Sequence, residues 1–102
     1  MNRFLSTLGL CRRAGKLAYG FDAVCDEIKK KGSKVCGVFT ACDLSEKTLK
    51  EVGFICDKYS VPHICTDVSM DEIKAVLSAR TGIIAILDKG LFGSLSSLYI
   101  DN

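Results

Sequence analysis

The stretch Cys11 to Val24, CRRAGKLAYGFDAV, sets Arg12, Arg13 and Lys16 ahead of Gly20, Phe21 and Asp22, with Gly15 among the cations and Arg3 further upstream. Cations beside a glycine that opens a helix suit phosphate binding. A helix N-terminus offers unpartnered N–H groups and the positive end of its dipole to an anion. Gly20, with no side chain, lets an RNA backbone approach closely. A basic surface loop before an ordinary helix would carry the same residues. Phosphate contacts hold a nucleic acid without reading it, so discrimination falls to polar groups in the helix's first turn. Bends and bulges of RNA expose the unstacked base edges that a helix end can read.

Other chemistries find less support. There is no GxGxxG after a strand and no GxxxxGK[ST], so a nucleotide-binding loop is not indicated. Asp43, Asp67 and Asp88 stand near the C-terminal ends of expected strands, where α/β proteins often hold ligands. Each also precedes a helix, and helix capping is the simpler reading. Cys42 is the best candidate for a nucleophilic thiol, but His63 is the one histidine that could serve it as a base. His63 lies in a strand-like run and reads as a packed or edge-strand imidazole. None of the six cysteines forms a CxxC pair and the spacings match no zinc motif, so neither metal nor cofactor is expected. Cys11, Cys25, Cys56 and Cys65 fall in apolar patterns and read as buried free thiols.

The elements that must position these residues follow from periodicity. Phe4, Leu8 and Cys11 define a helix that Asn2 can cap. KLAY reads as a brief edge strand. A second helix after Gly20 buries Phe21, Val24 and Ile28, and stops at Lys29, Lys30, Lys31 and Gly32. KVCGVFTAC reads as a buried strand. Ser45 opens a helix with a stripe of Leu49, Val52, Cys56 and Tyr59. VPHICT is a strand with Pro62 at its start or on an edge. Ser69-x-x-Glu72 is a capping box. GIIAIL is the most apolar strand and belongs at the centre, and a short last helix carries Leu91, Leu95 and Leu98. Alternating helices and strands predict a single-domain three-layer α/β/α sandwich over residues 1–102.

The 102 residues suffice for one domain, and 48% are hydrophobic, so a core is available. Residues 1–34 hold eight Lys/Arg and three Asp/Glu, giving +5, whereas residues 35–102 carry −3. A basic face drawn from the first third fits an anionic partner, nucleic acid first, although a solvated surface has the same composition. The opening MNRFLSTLGL lacks a secretory pattern, so a reducing, cytoplasmic setting is expected. No apolar run approaches the roughly 20 residues of a membrane span.

At these residues the chain resembles the ribosomal protein L-seven-Ae/L-thirty-e superfamily and its small bacterial members. LGLCRRAGKLAYGFDAV is similar to a bacterial Leu-Gly-Leu-x-x-Arg-Ala-Gly-Lys-Leu pattern followed by a glycine. ACDLSEKT is similar to Ala-Ser-Asp-x-Ser-x-x-Thr, Val61-Pro62 to the third-strand entry, and AILDKGLF to Val-Thr-Asp-x-Gly-Phe. The resemblance implies an L-thirty-e-like fold with a small mixed sheet. It also implies a non-enzymatic, ribosomal-protein-like RNA-binding protein whose partner is structured RNA, with kink-turn and ribosomal RNA as candidates. The family's best-known members use Gly-x-Asn-Glu-x-x-Lys at the second helix's start, where Asn and Glu read guanines of sheared G·A pairs. Gly15, Lys16 and Gly20 fit that framework, but Asp22, Ala23 and Asp26 stand where Asn, Glu and Lys are expected, and Phe21 replaces a small polar residue. The family's loop before its last strand adds Arg80 as a phosphate contact. The expected RNA site is therefore Arg12, Arg13, Lys16, Gly20, Phe21, Asp22 and Arg80 in a monomer. A protein-interaction module that kept the fold and lost RNA recognition is the alternative, resting on Ala23, Asp26 and an exposed Phe21.

Overall fold

The computed structural model describes residues 2–99; the ends of the expected domain, residues 1 and 100–102, lie outside that range. Five helices and four strands follow one another among the described residues. They are α1 (Arg3–Arg13), β1 (Leu17–Tyr19), α2 (Phe21–Lys29), β2 (Gly37–Thr40), α3 (Glu46–Lys58), β3 (His63–Cys65), α4 (Met70–Leu77), β4 (Ile83–Ile86) and α5 (Lys89–Ser96). The sheet order is β1-β4-β2-β3. β4 pairs antiparallel with β1 and β2, and β2 pairs parallel with β3. The sheet is thus mixed, and the most apolar run, IIAI, is interior as its composition predicts.

Alternation along the strands builds two cores. Phe39, Ile84 and Ile86 turn to one face, against Phe4 and Leu8 of α1, Ile73 of α4 and Leu95 of α5. Val38, Ile83 and Ala85 turn to the other, against Val24 and Ile28 of α2 and Val52 and Cys56 of α3. With both faces covered, β4 reads as a continuous apolar run instead of alternating with polar residues. The result is the expected α/β/α layering, in agreement with an L-thirty-e-like fold.

Local signals set most boundaries. Asn2 Oδ1 accepts from the Leu5 amide at 2.8 Å, Ser45 Oγ from Thr48 at 3.3 Å, and Asp88 Oδ1 from Leu91 at 2.9 Å. Ser69 and Glu72 close a reciprocal capping box. Several expectations change. β2 is shorter than KVCGVFTAC, although the Cys36 and Ala41 amides beyond its ends still donate to Ile86 and Gly82. Cys65 is exposed, not buried, because it ends an edge strand with a sheet neighbour on one side only. Tyr59 follows α3 and Leu98 follows α5, and both are exposed.

His63 is a packed edge-strand imidazole, with Nε2 3.2 Å from Thr40 Oγ1. Burial holds its pKa below the ordinary value, opposed in part by Asp57. The unfolded chain therefore takes up the proton first as pH falls. The stability associated with the neutral ring is complete above the ordinary imidazole range and is lost as pH drops through about 6.5. We expect the melting temperature to fall between about pH 7.5 and about pH 5.5, with a slope no steeper than about 1.4 kcal/mol per pH unit for one proton. In His63→Gln this part of the profile should flatten; an unchanged profile by thermal melts would assign the slope to other groups.

Candidate nucleic-acid interface

The entry to α2 is the one helix start among the described residues without a side-chain cap. Its N-cap, Gly20, adopts φ 90°, ψ 150°, a conformation open essentially only to glycine. A Cβ there would meet nothing within 4 Å. Glycine is thus required by conformation, and the space in front of it is open. The Gly20 amide donates to the Ile83 carbonyl at 3.0 Å, while its own carbonyl accepts from Val24 at 3.0 Å. The residue is pinned to the sheet on one side and starts the helix on the other. The first-turn amides of Phe21, Asp22 and Ala23 have no intrahelical acceptor.

Asp22 and Ala23 are exposed in this first turn. Asp22 interacts favourably with the helix dipole and offers a carboxylate to a donor on a base edge. Phe21 is half-buried and packs against the core between α2, α3 and the sheet. The ring is thus anchored in the core rather than turned wholly to solvent. The same ring lines a shallow depression of about 360 Å³ with Lys50, Phe54 and Ile55, where Phe54 is 67% exposed.

The loop before β4 abuts this entry. The Gly82 carbonyl accepts from Ala41, and the next carbonyl, that of Ile83, accepts from Gly20. Thr81 folds the loop back on itself through its Oγ1 and both backbone groups of Ile83. Arg80 projects from this loop, exposed, with Nε donating to Asp71 Oδ1 at 3.0 Å.

Arg12, Arg13 and Lys16 are not at this entry. The Lys16 carbonyl accepts from Leu87, whereas Gly20 is opposite Ile83. Four strand steps separate them, about 13 Å at 3.3 Å per residue. β1 is the physical reason: it carries the chain from one end of the sheet to the other between the cations and the glycine. Arg12 and Arg13 occupy the last turn of α1 and line a depression of about 470 Å³ between α1 and α4 with Gly9 and Val76. Lys16 meets Glu27, Lys30 and Lys34 instead, around a depression of about 310 Å³. Lys30 reads in the sequence as part of a helix stop and Lys34 as the start of a strand, so neither marks a site by its local pattern. The signal was α2's length: nine residues run about 13 Å back along β1.

The three aspartates considered as ligand-holding groups have structural partners. Asp88 caps α5, Asp43 Oδ1 accepts from the Met70 amide at 2.9 Å, and Asp67 Oδ1 accepts from the Tyr99 hydroxyl at 2.9 Å. Burial pushes the Cys11 and Cys56 thiols up to about 11, which holds them protonated near neutral pH. Cys42 is exposed. Among the described residues no helix is long and apolar enough to cross a membrane.

No protein-family model matches the chain. It is 34% identical over 96 residues to the RNA-binding protein YlxQ of Bacillus subtilis (strain 168), covering 89% of each chain. It is 33% identical over 87 residues to the RNA-binding protein YlxQ of Enterococcus faecium, covering 84% of this chain and 81% of that one. The solved structure of a protein of unknown function from Bacillus halodurans C superimposes with a TM-score of 0.86 at 23% identity, over 96% of this chain and 97% of the other. That likeness shows the fold.

Proposed function

The chain belongs to the family of the RNA-binding protein YlxQ, and from that premise we propose that it binds structured RNA, without catalysis, at the entry to α2. The observation that carries this reading is the uncapped helix start at Gly20, with open space in front of it and the Arg80 loop alongside. The amides of Phe21, Asp22 and Ala23 receive acceptor atoms of the RNA, and the Asp22 carboxylate accepts from a guanine edge. Arg80 moves from Asp71 to a phosphate at little cost, since exposed ion pairs are worth about 0–1 kcal/mol. Phe21 supports the entry from below through its packing. Arg12 and Arg13 supply phosphate contacts from the depression between α1 and α4. Kink-turn RNA is the specific candidate, bound through backbone and shape more than through side-chain readout; ribosomal RNA supplies such structures.

Gly20→Ala tests the assignment. The substituted residue is strained, costing about 1–3 kcal/mol of stability, so binding is measured near 15 °C, close to maximum stability, with folding checked by circular dichroism. In gel-shift titrations with a kink-turn RNA and a duplex of equal length, the unsubstituted protein should bind the kink-turn, and Gly20→Ala should bind it about tenfold or more weakly, the loss of one charge-assisted contact. Equal affinities would move the site away from α2. No binding by the unsubstituted protein, even at low salt, would favour the protein-interaction module.

A further inference from the structure

The two ends of β1 have different characters. At the α2 entry Asp22 stands in the first turn, and Lys50 and Glu51 of α3 line the depression beside Phe21. At the opposite end, Lys16, Lys30 and Lys34 line one depression, of about 310 Å³. Lys34 and Lys89 line a second, of about 600 Å³, and the two depressions share Lys34 and Leu87. All four lysines are exposed. Among the described residues, two carboxylates line these depressions, and both are engaged: Glu27 lies 3.7 Å from Lys30 Nζ, and Asp88 caps α5.

A helix stop accounts for part of this charge. Lys29 and Lys30 close α2, where cations offset the negative end of the dipole. It does not account for Lys16, which precedes a strand, for Lys34, which precedes another, or for Lys89, which begins α5 at the dipole's positive end, where a cation is unfavourable. Three lysines from three separate segments converge where no local helix requirement places them. Gly15 and Gly32, both at positive φ, shape the bends that bring those segments together.

We propose that this lysine surface is a second RNA-binding site, which takes the phosphate backbone of a stem continuing past the α2 entry. The proposal rests on the RNA-binding reading above and adds to it a contact some four strand steps from the base-facing helix end. The entry would orient the RNA, and the lysines would hold its flank by charge alone, with no preference for sequence.

The test compares a short kink-turn RNA with the same RNA carrying a long added stem. Lys16→Gln/Lys34→Gln/Lys89→Gln is set against a control with the same charge change, Lys47→Gln/Lys58→Gln/Lys74→Gln. Each neutralised phosphate contributes a slope of about 0.9 in log affinity against log salt. The first variant should therefore lose about 2–3 units of slope and about tenfold or more in affinity on the long RNA, and much less on the short one. The control should lose little on either. Equal losses for the two variants, or none for the first while Gly20→Ala still weakens binding, would overturn the second site and leave the α2 assignment standing. No binding of either RNA by the unsubstituted protein would overturn both.

Discussion

Restoring three side chains at the α2 entry, as Asp22→Asn/Ala23→Glu/Asp26→Lys, should raise affinity for a kink-turn RNA by roughly a hundredfold or more. All three positions are exposed on α2. Positions 22 and 26 are one turn apart on the same face, and 23 and 26 are neighbours on that surface. Asparagine regains the amide donor that a carboxylate lacks, glutamate supplies an acceptor where alanine has none, and lysine replaces an anion with a cation. Each bidentate or charge-assisted contact is worth about 1–3 kcal/mol, so two regained contacts account for the expected gain. The fold should tolerate the change. Removing the Asp22 charge costs the helix about 0.3–1 kcal/mol in dipole interaction, and glutamate in the same turn returns a similar amount.

The measurement is paired titration against a kink-turn RNA and a duplex, since selectivity distinguishes the causes. A gain confined to the kink-turn means that the helix entry meets base edges. An equal gain on the duplex would mean that reversing the charge at position 26 acts only on phosphate. No gain on either would place the RNA elsewhere and contradict the α2 assignment.

The fold was readable because its signals are local. Asn2, Ser45, the Ser69–Glu72 box and Asp88 each bond within a few residues, and spacing along the chain is enough to find such bonds. The interior place of Ile83–Ile86 followed from its unbroken apolar character. The site was only partly readable. Gly20 at a helix entry could be identified from its neighbours, but the distance from Lys16 to Gly20 depends on whether KLAY bends or extends. It extends, because Leu17, Ala18 and Tyr19 pair with Ile86, Ala85 and Ile84, partners more than sixty residues away. The convergence of Lys16, Lys34 and Lys89 depends on the same long-range pairing. Asp43 shows the opposite limit: it stands just ahead of α3 but bonds the start of α4.

Phe39→Ala should destabilise the protein by about 3–5 kcal/mol, the usual cost of removing a buried phenylalanine. Phe39 is 1% exposed, on an interior strand. Its ring lies 5.2 Å from Phe4, 5.6 Å from Phe92 and 6.4 Å from Tyr99, centroid to centroid. One truncation thus unsettles contacts to α1, to α5 and to the chain that follows α5. Against a total of about 5–15 kcal/mol for a domain, this is a large fraction, and urea denaturation should show a markedly lower midpoint with an unchanged slope. Phe92 limits the relief available: its ring packs directly on Gly37, where a Cβ would clash with it, so that ring already occupies the strand beside the site. A loss below about 1 kcal/mol would mean that the neighbouring rings close the cavity after all. RNA affinity offers a second reading of the same variant. Phe39 faces α1, α4 and α5, whereas α2 is held from the opposite face by Val38, Ile83 and Ala85. Where the variant remains folded, its RNA affinity should therefore match that of the unsubstituted protein. A parallel loss would show that the α2 entry depends on the packing of both faces.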